Sequence, residues 1–247
     1  MKNWGFSFLE WRTRRTPRLV ADTFNRATHN PLEKLLFSIR ARAFDPLAIA
    51  KGIERLSVPP RGAVTCLDVG CNIGAKTDLV LAVLKNLGCS KVSLEGIDLS
   101  EEAVRLAKEL NPRANVSYSV KDFLSMEIPE AHYDYIFLSA VWHHFEDTKE
   151  ALLRIEKCLK PKGVAVLMNG FYPENPVLRP FALLLQRFYR FLELRRGLRY
   201  NRPLVSDVRR QVAEHCGKDF FCGDFANNFP TNLFGTKTLV FGRKPRV

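Results

Sequence analysis

CLDVGCNIGAKTDLVL, residues 66–81, decides the fold. An apolar run closes on Asp68-Val69-Gly70, and a second glycine follows at Gly74. Three kinds of ligand site open this way. A phosphate-binding loop needs Gly-x4-Gly-Lys-Ser/Thr, so that successive N–H groups curl around phosphate oxygens. Here Ala75 stands in the second glycine's place before Lys76-Thr77, and the later strand ends in Ser139-Ala140 rather than an acid for magnesium. A dinucleotide site needs Gly-x-Gly-x-x-Gly for close backbone approach to pyrophosphate, but registered on Gly70 its other glycines become Asn72 and Ala75. The third kind holds an adenosyl group with no phosphate, and asks only for an acid at the strand end and a tight turn.

Outward from this stretch, strand and helix patterns alternate. Residues 63–69 and 91–98 read as buried parallel strands, with a helix over 75–87 between them. Ser100 is a helix cap, the acids Glu101 and Glu102 suit the first turn, and Asn111-Pro112 stops the helix. VSYSVKD and YDYIFLSA give a third and a fourth strand. Asp147-Thr148-Lys149-Glu150 is a capping box for a helix to Leu159, KPKG is its stop, and VAVLMNG is the fifth strand. The tail from residue 219 reads as two strands forming an antiparallel hairpin. The expected architecture is a doubly wound α/β sheet of seven strands, mostly parallel, the last antiparallel.

In this setting the 66–81 stretch resembles the first motif of class I S-adenosylmethionine-dependent methyltransferases. Their usual form is Asp/Glu-x-Gly-x-Gly-x-Gly, and DVGCNIG departs from it at Asn72. Asparagine tolerates a left-handed backbone better than other residues with side chains, so the turn can survive the change. The resemblance runs on for about 105 residues in motif order. It implies S-adenosylmethionine as cofactor, bound by Asp68, Gly70, Asn72, Gly74, Asp98, Leu99, Asp122, Phe123 and Ser139. Asp98 in EGIDLS matches the acid that holds ribose hydroxyls, and Asp122-Phe123 the segment beside the adenine. Asp68 and Asp98 each have a plainer use, as caps of the turn or helix that follows.

Methyl transfer from a sulfonium needs alignment and water exclusion first, and a base only if the acceptor arrives protonated. His143 and His144, after the fourth strand, are the candidate catalytic residues, since a histidine titrates in the useful range. The alternative is a structural role for one and a wall position for the other. No Asn/Asp-Pro-Pro-Tyr/Phe motif follows the fourth strand, which argues against methylation of exocyclic base amines. No set of His and Cys has metal-ligand spacing, and the six cysteines read as free thiols.

The 247 residues carry a net charge of +12, unevenly placed. Residues 1–61 hold 12 basic and 5 acidic side chains, residues 62–174 hold 12 and 16, and residues 175–247 hold 14 and 5. The Pro59-Pro60 break divides a basic, helical N-terminal segment (1–61) from the α/β domain (62–247), with a substrate-side helical insert at 171–215. In the first segment Asn30 and Pro31 begin one helix and Asp45-Pro46 another. In the insert, Phe181, Leu184, Leu185, Phe188 and Leu192 share one helical face, with Arg187 and Arg190 opposite. Aromatics among arginines suit a lid over a lipophilic acceptor, quinone-, phenol- or lipid-like, and an anionic membrane surface. RNA methylation through the basic flanks, or a silent adenosyl-binding module, would use the same charge. No apolar run reaches the roughly 18–20 residues of a membrane span, and no apolar leader opens the chain, so a cytoplasmic protein peripheral to a membrane is expected.

Overall fold

A computed structural model describes residues 44–171, 180, 203–226 and 236–243. The expected helices at Asn30 and over 181–194 lie outside the described residues.

Helix α1 (Pro46–Leu56) starts where Asp45 accepts the N–H of Leu47 at 2.9 Å, with proline in the first turn, which needs no N–H. Then follow β1 (Ala63–Val69), α2 (Thr77–Asn86), β2 (Lys91–Asp98) and α3 (Glu101–Leu110). They lead to β3 (Val116–Val120), β4 (Tyr133–Ser139), a 3₁₀ turn (Trp142–His144) and α4 (Thr148–Cys158). The remaining described elements are β5 (Leu159–Gly170), α5 (Val205–His215), β6 (Phe220–Ala226) and β7 (Thr236–Arg243).

The seven strands form one sheet in the order β3-β2-β1-β4-β5-β7-β6. β1 pairs in parallel with β2 and β4, and β7 runs antiparallel between β5 and β6. Strand alternation feeds two cores. Val64 and Cys66 of β1 pack on one face with α1 and α2, while Leu67 and Val69 pack on the other with α4 and α5. Apolar side chains on both faces are what a central parallel strand requires, and they explain the nearly continuous apolar run of residues 63–69.

Several boundaries move. Pro59-Pro60 turns the chain without dividing the packing, because Ile49, Ala50 and Ile53 of α1 are buried in the same core as α2. The N-terminal segment to residue 61 is therefore not wholly a separate cap. Within the 171–215 insert, α5 places Val205, Val208 and Val212 in the core beside α4, so its last turns pack on the sheet. The KPKG stop is itself strand, since Leu159 pairs with Tyr133 before the register shifts at Tyr135. β3 ends at Val120, leaving Lys121 and Asp122 in the following turn.

Candidate active site

The carboxyl ends of β1, β2 and β4 meet at the glycine turn. Gly70, Asn72 and Gly74 all have left-handed backbone, with φ of +71°, +52° and +72°. The N–H groups of Gly70 and Cys71 both donate to Ile97 O, at 2.8 and 3.0 Å, which hooks the turn over β2. Asn72 shapes its own corner, its Oδ1 accepting from Ile73 N at 2.7 Å. A Cβ on Gly70 would stand 2.8 Å from the Val141 side chain, so glycine lets the turn and the loop after β4 approach each other. A Cβ on Gly74 would stand 2.5 Å from Asn111 Nδ2, whose amide donates to Ile73 O and Ala107 O. Gly74 thus serves the packing of the turn on α3.

Asp68, at the end of β1, is 1% exposed, and neither carboxylate oxygen has a hydrogen-bond partner among the described residues. Burial pushes its carboxyl up to about 7; the positive charge of Lys76 opposes the rise and Asp98 adds to it. Ser139 at the end of β4 is also buried, and its hydroxyl has no partner among the described residues. Buried polar groups are nearly always satisfied, so two on neighbouring strand ends mark a place built for something else.

Asp98 is buried too, but it accepts N–H groups from Asn72 and Ser100, each at 2.9 Å, and from Leu99. Burial still raises its carboxyl. The cap of α3 is Ser100, whose Oγ accepts from Ala103 N at 3.0 Å. Asp98 therefore ties the glycine turn to the end of β2. Leu99 is half-buried and contributes through its backbone.

Asp122 folds the next turn, accepting from Leu124 N at 2.9 Å and Ser125 Oγ at 3.1 Å. The Phe123 ring is 3% exposed and lies in the core, 6.0 Å from the Phe145 ring. Its ring anchors the turn from beneath. Arg154 holds the same turn, donating to Phe123 O and Met126 O.

His143 and His144 follow β4 with ring centroids 4.0 Å apart. His143 Nδ1 lies 3.0 Å from Oδ1 of Asn169, which is 1% exposed near the end of β5. The sequence reading passed over Asn169, although a polar side chain closing the apolar run VAVLMNG was a visible signal.

Comparison with known proteins agrees with this geometry. Residues 67–167 match the family model described as a methyltransferase domain. Phosphoethanolamine N-methyltransferase 2 of Caenorhabditis elegans is 34% identical over 110 residues, covering 43% of this chain and 24% of that protein. Demethylmenaquinone methyltransferase of Staphylococcus aureus is 28% identical, over 60% of this chain and 56% of its own. The chain thus spans a quarter to about half the length of these curated relatives. In fold it is similar to the YcgJ protein of Bacillus subtilis, with a TM-score of 0.58 at 17% identity, over 82% of this chain and 99% of that one. With motif order, sheet order and family match in agreement, residues 67–167 carry a methyltransferase domain of the class I, S-adenosylmethionine-dependent family.

Proposed function

We propose that the protein transfers a methyl group from S-adenosylmethionine to a small lipophilic acceptor. The observation that carries this reading is Asp68: a buried carboxylate with no hydrogen-bond partner among the described residues, beside a left-handed glycine turn at the carboxyl ends of the strands. Such a group suits a ligand that brings its own positive charge. Asp98 suits ribose hydroxyls, because a carboxylate offers about four lone-pair sites and can accept further donors. The Asp122 turn borders the adenine. Bound there, the cofactor supplies an electrophilic methyl group on a good leaving group. The chain's part is to align the acceptor, exclude water and, through His143, take its proton.

The lipophilic acceptor draws support from the relative named for demethylmenaquinone and from the aromatic and arginine-rich flanks. Those flanks are also the proposed contact with an anionic membrane surface. The test is mass spectrometry of a cell extract incubated with protein and isotope-labelled S-adenosylmethionine. Label in a lipid-soluble small molecule supports the reading. Label in RNA makes the basic flanks a nucleic-acid contact, and label nowhere leaves an adenosyl-binding module.

A further inference from the structure

We propose that Tyr118 is a positioning residue of the cofactor site: reaching across the gap left by Gly96, it sets the distance between the glycine turn and the Asp122 turn. The inference rests on the methyl-transfer reading above and deepens it.

Asp68, Gly96 and Tyr118 stand in register across β1, β2 and β3. Registered neighbours in a sheet present their side chains to the same face. Glycine in the middle leaves that row open, and Tyr118 fills it. A Cβ on Gly96 would stand 2.6 Å from Tyr118 Cδ1 and 3.1 Å from Cys71 Cβ. The ring thus lies over β2, in a small core with Cys71 of the glycine turn and Val104 and Ala107 of α3. Its hydroxyl reaches farther. Tyr118 OH and Thr77 Oγ1 share a hydrogen bond of 2.6 Å, and both residues are buried. A Cβ on Gly74 would stand 3.0 Å from the same hydroxyl. Thr77 N donates to Gly74 O at 3.0 Å, so the threonine closes the turn as it opens α2. One side chain rooted in β3 therefore braces the start of the turn with its ring and the end with its hydroxyl.

The other end of this brace is the nucleoside side of the site. β3 ends at Val120, and Lys121 N donates to Asp98 O at 3.0 Å just before the Asp122 turn. Backbone bonds to Ile97 and the Asp98 carboxylate tie the glycine turn to β2. Tyr118 ties it to β3, the strand that carries the Asp122 turn. A ring alone would fill the gap but leave the start of α2 free to slide. A hydrogen bond has a fixed length and direction, so the hydroxyl pair sets a spacing. A cofactor that spans Asp68 and the Asp122 turn must match that spacing. Without the bond the turn relaxes in the free protein and binding must restore it, a loss bounded by the worth of one buried hydrogen bond. A ligand confined to the nucleoside side needs no such match.

The experiment is calorimetry on full-length protein with two ligands. S-adenosylhomocysteine spans both turns, whereas methylthioadenosine lacks the amino-acid end. Tyr118→Phe and Thr77→Val should each weaken S-adenosylhomocysteine about 5- to 10-fold and leave methylthioadenosine within about twofold. Thr77→Ser keeps the hydroxyl and should hold both affinities within about twofold of wild type. Tyr118→Phe combined with Thr77→Val should cost no more than the larger single loss, because both remove one bond. An S-adenosylhomocysteine affinity unchanged in Tyr118→Phe and Thr77→Val overturns the proposal. So does an equal loss for both ligands, which a general loosening of the fold would give, or a Thr77→Ser as damaging as Thr77→Val. If Tyr118→Phe does not fold, the two threonine variants decide. Wild type that binds S-adenosylhomocysteine but not methylthioadenosine overturns the division of the ligand between the two turns. Failure of S-adenosylhomocysteine to bind wild type overturns the parent reading. Urea melts of the same variants then report on the pair, and stability losses that simply add would overturn it too.

Discussion

Asp68 and Asp134 are both buried carboxylates on central parallel strands, one at each end of the sheet. Asp134, at the amino edge, accepts from Thr65 N at 2.8 Å, from Thr65 Oγ1 at 3.0 Å and from Lys160 Nζ at 2.7 Å. It staples the starts of β1, β4 and β5. Asp68, at the carboxyl edge, meets no hydrogen-bond donor among the described residues. One end of the sheet closes its own polar account and the other leaves it open. Folding alone explains Asp134. It does not explain Asp68, whose burial costs stability that Lys76 offsets in part and that a cationic ligand would return.

The largest test of that contrast is the pH dependence of Asp68. Its carboxyl stands at about 7 in the folded chain, against about 3.9 unfolded. Between these values the folded state holds the proton more tightly, so stability is greatest at the acid end and falls as pH rises towards 7. The loss amounts to at most about 4 kcal/mol. Urea melts of the ligand-free protein from pH 4.5 to 8 should show this fall, and Asp68→Asn should flatten it. A cationic ligand holds Asp68 ionised, so S-adenosylmethionine should bind with proton release below pH 7, visible as heats that vary with buffer ionisation enthalpy. A wild-type slope that survives in Asp68→Asn would remove Asp68 from the argument.

Next comes Asp134→Ala, which strands the Lys160 ammonium and the Thr65 N–H. The expected loss is about 3 kcal/mol at pH 8, softened because the Lys160 side chain is 37% exposed. Under the same conditions Asp68→Asn should leave the ligand-free protein as stable as wild type or more so. Equal destabilisation by both would mean that the two ends of the sheet are alike.

Asp98 lies between these extremes, buried yet satisfied by backbone N–H groups. Asp98→Ala should weaken S-adenosylhomocysteine binding by about 2–3 kcal/mol in calorimetry, through lost charge-assisted hydrogen bonds and a loosened glycine turn. Unchanged affinity would place the nucleoside elsewhere.

Strand bounds in the sheet centre were legible because strands buried on both faces must be apolar, and residues 63–69 and 91–98 stand as read. The Ser100 and Asp147 caps were equally plain, since each side chain performs the hydrogen bond its type suggests. Helix α5 was hidden: Leu204 gives no side-chain cap, and three valines spaced 3 and 4 apart are a thin stripe among charges. In the site, the identities of Asp68 and Asp98 were readable, but not that one meets no hydrogen-bond donor among the described residues and the other is held by backbone N–H groups. Those states depend on N–H groups that only the folded turn brings near. The burial of the Phe123 ring in the core was not legible, because an aromatic beside a site acid looks the same in sequence whichever way its ring faces.

The smallest effect belongs to Asn72, where this turn departs from the family's glycine. At φ +52° asparagine is strained less than most residues, and its Oδ1 bond to Ile73 N offsets part of the cost. Asn72→Gly relieves the strain, loses that bond and frees the unfolded chain, so these terms should cancel to within about 0.5–1 kcal/mol. Asn72→Ala keeps the strain and loses the bond, which should cost about 1–2 kcal/mol. The N–H of residue 72 still reaches Asp98 in both variants, so S-adenosylhomocysteine affinity should hold within about threefold. Thermal melts and calorimetry of the two proteins decide the matter. Should Asn72→Gly prove the more damaging, or lose the ligand, then the side chain acts on the nucleoside directly, and its departure from glycine is a feature of recognition.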